Sequence, residues 1–171
     1  MKHIILIGFM GAGKTTVGKR LAVGLNAEFL DTDSCIEKKA GMAVSQIFET
    51  QGEEAFRAME TQMLRELLSY EEGCVISCGG GLPLREENAL LLKRLGTVVY
   101  LEVSAATVQT RLSGDTTRPL LQGTDAAKRI EKLLLERRER YEAAADICIC
   151  VDGKTPKQIC EELMTFISEK S

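Results

Sequence analysis

Apolar residues in this chain gather into five short, nearly unbroken runs, at 3–7, 27–30, 74–78, 97–103 and 147–151, each bounded by turn-forming or polar residues. Ile4-Ile5-Leu6-Ile7 and Val98-Val99-Tyr100-Leu101 lack the apolar/polar alternation of a half-exposed strand. A continuous run means both faces are covered, the condition of a parallel sheet between two helical layers. Helix-length segments separate the runs. Strands alternating with helices predict a three-layer α/β/α sandwich with a five-stranded parallel sheet and right-handed crossovers.

The helical segments carry their own punctuation. Thr155-Pro156 pairs a cap with proline at the first helical position, and Ile159, Leu163, Phe166 and Ile167 then fall on one face of a closing helix. Residues 33–70 are too long for one crossover helix, and Gly41 and Gly52 divide them into two or three helices that form a subdomain. No internal repeat or low-complexity tract interrupts the chain. With 171 residues, one domain is expected.

Composition narrows the class. Twenty-two Lys+Arg against 25 Asp+Glu give a net charge of -3, without a basic run suited to nucleic acid or a membrane surface. No stretch approaches the roughly 20 apolar residues of a membrane span. There is no signal-peptide pattern at Met1-Lys2-His3 and no CxxC spacing among the six cysteines. These features predict a soluble cytoplasmic protein in a reducing compartment, with Cys74, Cys78, Cys148 and Cys150 buried in their strands.

The first strand runs directly into Gly8-Phe9-Met10-Gly11-Ala12-Gly13-Lys14-Thr15-Thr16, a full match to GxxxxGK[ST] in its strand–loop–helix setting. Glycines let the backbone N–H groups turn inward on phosphate oxygens, and the helix N-terminus adds positive potential. Lys14 would bridge the β- and γ-phosphates, and Thr15 would ligate Mg²⁺ directly. A plain glycine turn would not call for the lysine and hydroxyl. The dinucleotide pattern GxGxxG fails because Thr16 stands where its third glycine would be.

A phosphate loop leaves kinase, ATPase, switch and binding module open. Asp31-Thr32-Asp33 ends the second strand, at the edge where parallel sheets open onto ligand. One carboxylate suits hydrated Mg²⁺ and the other an attacking hydroxyl, while Asp33 could also cap the following helix. Gly79-Gly80-Gly81 ends the third strand, which lacks the usual metal-binding aspartate; Ser77 is the nearest polar substitute, placing Asp31 and Ser77 on the metal through water. Arg137 shares the inward stripe of Ile130, Leu133, Leu134 and Tyr141, so it needs an anion. Arg57 beside Glu60 reads either as an exposed ion pair or, with Arg137, as a fork for a substrate carboxylate.

Together the GFMGAGKTT loop, Asp31-Thr32-Asp33 with Ile36-Glu37, residues 52–57 with Glu60, the triple glycine, Arg118-Pro119-Leu120-Leu121, and Arg137 with Tyr141 resemble the shikimate kinase family, in the same order and over essentially the whole chain. The resemblance implies a P-loop kinase-type fold with a core of 1–32, 62–112 and 126–171, a helical shikimate-binding subdomain at about 33–61, and a mobile lid at about 113–125. It implies ATP-dependent phosphorylation of the 3-hydroxyl of shikimate, on the route to chorismate and the aromatic amino acids. Asp33, Lys14 and Arg118 would be catalytic. Gly11, Ala12, Gly13, Lys14, Thr15, Thr16 and Arg118 would bind ATP, with Arg111 and Lys154 lining the adenine side. Asp33, Arg57, Gly79, Gly80, Gly81 and Arg137 would bind shikimate. A monomer acting on ATP and shikimate with Mg²⁺, without nucleic acid or membrane partners, completes that picture. The alternatives are another small-metabolite P-loop kinase, such as a gluconate kinase, and a non-catalytic ATP-binding regulator.

Overall fold

A computed structural model describes residues 2–113 and 125–169. Five strands, β1 (His3–Ile7), β2 (Glu28–Asp31), β3 (Cys74–Ser77), β4 (Gly96–Glu102) and β5 (Ile147–Cys150), form one all-parallel sheet in the order β2-β3-β1-β4-β5. The connections are α1 (Lys14–Leu25), α2 (Thr32–Ala40), α3 (Val44–Gln51), α4 (Glu53–Leu67), a short 3-10 turn at Leu82–Leu84, α5 (Glu86–Leu95), α6 (Ala105–Leu112) and α7 (Ala126–Ala144), with α8 (Pro156–Glu169) following β5.

Alternate residues of the central strands face opposite helical layers, which explains their unbroken apolar character. Ile4, Leu6 and Leu101 pack with Val17 and Leu21 of α1 and Ile159 and Leu163 of α8. On the other face Ile5, Ile7 and Tyr100 meet Leu64 of α4, Leu92 of α5 and Tyr141 of α7. A third, smaller cluster joins Ile36, Ile47 and Phe56 across α2, α3 and α4. It gives these helices a core apart from the sheet. Gly41 and Gly52 end α2 and α3 with positive φ angles of 70° and 87°.

Two expectations of burial are corrected. Cys148 and Cys150 are exposed, because β5 is an edge strand whose residues alternate in and out; Cys74 and Cys78 are buried as expected, and all six cysteines are free thiols. Phe166 is 37% exposed, whereas Ile159 and Leu163 are buried, so the inner stripe of α8 does not include it. Among the described residues, no helix is long and apolar enough to cross a membrane.

Candidate active site

The chain leaves β1 toward β2 and leaves β3 toward β4, so the crevice opens between β1 and β3, where the direction of winding reverses. Register aligns three strand ends there, with Leu6 and Asp31 each opposite Ser77. A cavity of about 520 Å³ fills the crevice, lined by the β1–α1 loop, Asp31, Asp33, Arg57, Ser77, the triple glycine and Arg137.

The phosphate end is built by the first loop. Gly13 holds φ at 89° and is the N-cap of α1, contributing no side-chain acceptor, and no acidic residue occupies the first turn. This leaves the helix terminus suited to an external anion. The Lys14 ammonium donates to the carbonyls of Gly8 at 2.7 Å and Phe9 at 2.9 Å, arched over the loop. Thr15 Oγ1 lies 3.5 Å from Asp31 Oδ2. Thr16 also lines the cavity. Arg111 crosses the outside of the loop, donating to Gly11 O at 2.9 Å, and with Ala12 and Pro156 borders a separate hollow of about 350 Å³. Lys154 pairs with Glu162 of α8 at 2.6 Å.

Beside the loop, the two aspartates have different surroundings. Asp31 caps α2, accepting from Ser34 N at 3.0 Å, which corrects the expectation that Asp33 could be the cap. Asp33 instead sits one turn position inside the helix with its Oδ1 buried and without a hydrogen-bond partner. Burial and repulsion by Asp31 hold its carboxyl above the usual aspartate range. A buried, unsatisfied carboxylate oxygen is costly and suits a ligand hydroxyl.

Arg57 is paired with Glu60 at 2.7 Å, as the sequence suggested, but the pair is not on the surface: the Glu60 side chain is 0% exposed and that of Arg57 18%. Glu53 lies 3.5 Å from the second Arg57 amino group. Burial pushes the Glu60 carboxyl up to about 7 despite the guanidinium bonded to it, and Asp33 adds repulsion. Its Oε2 is also buried without a partner. The periodicity carried this signal, because Glu60 stands four residues from both Phe56 and Leu64 on the buried face of α4.

The triple glycine lies between these groups. A carbon added at Gly79 would fall 2.7 Å from Asp33 Oδ1, and one added at Gly81 would fall 2.5 Å from Arg57 Nη2. Absent side chains therefore make room for functional ones. Gly79 N–H donates to Thr32 Oγ1 at 2.9 Å, and the Tyr141 hydroxyl donates to Gly80 O at 2.6 Å. Arg137 lies 5.6 Å from the centre of the Phe9 ring, facing the same cavity. Sequence reasoning assigned no task to Thr32 or Phe9. Arg118, and the segment 114–124 of the expected lid, lie outside the described residues.

A phosphate loop at the switch point of an all-parallel, helix-covered sheet is the architecture of P-loop kinases. A family model for shikimate kinase matches residues 10–168. The chain is 46% identical to the shikimate kinase of Sulfurihydrogenibium sp. (strain YO3AOP1) over 99% of its length and 100% of the relative's, and 42% identical to that of Francisella tularensis subsp. novicida (strain U112) over 99% and 97%. The structure of Acinetobacter baumannii shikimate kinase in complex with shikimate matches with a TM-score of 0.92 and 37% identity, covering 100% of this chain and 95% of that one. This chain belongs to the shikimate kinase family.

Proposed function

We propose that this chain transfers the γ-phosphoryl group of ATP to the 3-hydroxyl of shikimate, releasing shikimate 3-phosphate and ADP. Asp33 carries the reading: an unsatisfied buried carboxylate oxygen shares one cavity with Lys14 and Thr15 of the phosphate loop and with Arg57 and Arg137. Two guanidiniums suit the acceptor's carboxylate, and Asp33 suits its hydroxyls.

In this mechanism the loop N–H groups from Gly11 to Thr16 hold the phosphates, and Lys14 swings from its carbonyl partners to the β- and γ-phosphate oxygens. Arg57, Arg137 and the backbone of Gly79 to Gly81 orient the acceptor. Asp33 accepts the hydroxyl proton as the new oxygen–phosphorus bond forms and the bond from the γ-phosphorus to the bridging oxygen breaks, leaving ADP. Alignment and charge stabilisation supply most of the acceleration.

The Thr15 hydroxyl, the Asp31 carboxylate 3.5 Å from it and Ser77 opposite Asp31 form a set of hard oxygen donors. Few protein donors beside an open phosphate site fit Mg²⁺, with Thr15 direct and Asp31 and Ser77 reaching it through water. When bound, Mg²⁺ neutralises charge on the phosphate oxygens. We assign Arg111, which bonds Gly11 O, and Lys154, in the turn after β5, to the adenine side. The small core at Ile36, Ile47 and Phe56 supports residues 33–61 as the acceptor-binding subdomain. In the same reading, 113–125 with Arg118 forms a lid over the phosphates, and the protein acts as a cytoplasmic monomer.

A coupled assay with ATP, Mg²⁺ and shikimate, gluconate or AMP tests the proposal. ADP should appear only with shikimate. Turnover confined to gluconate or AMP, or tight ATP binding without shikimate-dependent ADP, would overturn it.

A further inference from the structure

Next to Arg57 and Gly81 lies a buried polar bridge whose own residues, Thr61, Leu82 and Asn88, do not line the cavity. Asn88 of α5 is 0% exposed; its Nδ2 donates to Leu82 O at 2.9 Å, and its Oδ1 lies 2.7 Å from Thr61 Oγ1. The orientation of the amide follows from its partners. Leu82 O can only accept, so the nitrogen must face it and the oxygen must face Thr61, whose hydroxyl then donates. Thr61 is on α4, one turn after Arg57, and its Oγ1 also lies 3.1 Å from Arg57 O. Leu82 immediately follows Gly81.

The bridge thus ties the helix that carries Arg57 to the loop on which the guanidinium rests. The packing there is close: a single carbon on Gly81 would come within 2.5 to 2.7 Å of three Arg57 guanidinium atoms. Two ion pairs also link α4 to this region, Arg85 with Glu54 at 2.6 Å and Arg65 with Glu87, but both are exposed and screened by solvent. Buried hydrogen bonds between fully enclosed partners fix geometry far better.

We propose that Asn88, acting through Thr61 and Leu82, is a positioning residue that sets where the Arg57 guanidinium stands for the acceptor's carboxylate. This rests on the reading that Arg57 binds that carboxylate. It is not a contact with substrate. Disrupting the bridge therefore moves acceptor recognition and leaves the nucleotide end alone.

Thr61→Val, nearly isosteric, and Asn88→Ala should each raise KM for shikimate about tenfold with KM for ATP within about twofold, since small misplacements of a binding group are costly. Thr61→Ser should behave as wild type. Because both variants cut one bridge, the double variant should be no worse than Asn88→Ala alone. An unchanged KM for shikimate alongside a lowered Tm, parallel rises in both KM values, or multiplying effects in the double variant would each overturn the proposal. A crystal structure of the Thr61→Val protein reads the positioning without turnover: the guanidinium should move off Gly81, and an unmoved one overturns the proposal. Wild-type protein giving no shikimate-dependent ADP would sink the functional reading instead, and the Arg57 displacement would then decide this one.

Discussion

At the scale of single residues, Asp33 and Asp31 show how two identical side chains two positions apart acquire different chemistry. Asp31 spends one oxygen on the N–H of Ser34 and offers the other toward Thr15, whereas Asp33 keeps a buried oxygen without any partner. Desolvation and the neighbouring Asp31 charge raise the Asp33 carboxyl, so its proton-accepting form is lost on acidification at a higher pH than for an ordinary aspartate. The acid limb of kcat/KM for shikimate should accordingly lie above the ordinary value of 3.8. Asp33→Asn should lower kcat by roughly 10²-fold or more while ATP affinity, measured by equilibrium binding, stays within about twofold. An equal loss of ATP affinity would remove Asp33 from the acceptor side. That Asp31 caps the helix and leaves Asp33 unpartnered was not legible in Asp-Thr-Asp, because it depends on whether α2 starts at Thr32 or Ser34, a difference within the usual blur of a helix boundary.

At the scale of elements, the triple glycine works by the side chains that its first and third members lack, each yielding to a different partner. A methyl at Gly79 meets the Asp33 carboxylate, and one at Gly81 meets the Arg57 guanidinium. Both obstacles are movable side-chain ends rather than backbone, so alanine at either position should cost little stability, with Tm lowered by only a few degrees. On the proposed roles the functional costs should separate: Gly79→Ala should lower kcat by displacing Asp33, and Gly81→Ala should raise KM for shikimate by displacing Arg57. Identical kinetic losses in the two variants would contradict this division. Elements were the most legible level, since nearly unbroken apolar runs marked all five strands, and Gly41 and Gly52 marked the breaks between α2, α3 and α4. What failed was burial at the margins. Cys148, Cys150 and Phe166 have the right spacing and residue type, but an edge strand and the last turns of α8 leave them only partly covered.

At the scale of the whole molecule, a binding site this closely packed has a price in pH-dependent stability. Glu60 is fully enclosed, and its carboxyl rises from 4.5 to about 7, chiefly because burial penalises the charge more than Arg57 relieves it. Between those values the folded protein holds a proton that the unfolded chain has released. Folding is therefore most favoured by this group below about 4.5, and that advantage is lost as pH rises through about 7. Glu60→Gln removes the titration but not the pH-independent loss of the ion pair, so the two are separated by slope rather than by absolute stability. Between pH 5 and 7.5, the unfolding free energy of the wild type should fall by on the order of 2 kcal/mol more than that of Glu60→Gln, as read by urea denaturation. Parallel pH profiles would mean that Arg57 fully compensates the Glu60 charge. The buried pair would then bind its arginine without storing any cost in the fold, and its unpartnered Oε2 would need a solvating group of its own.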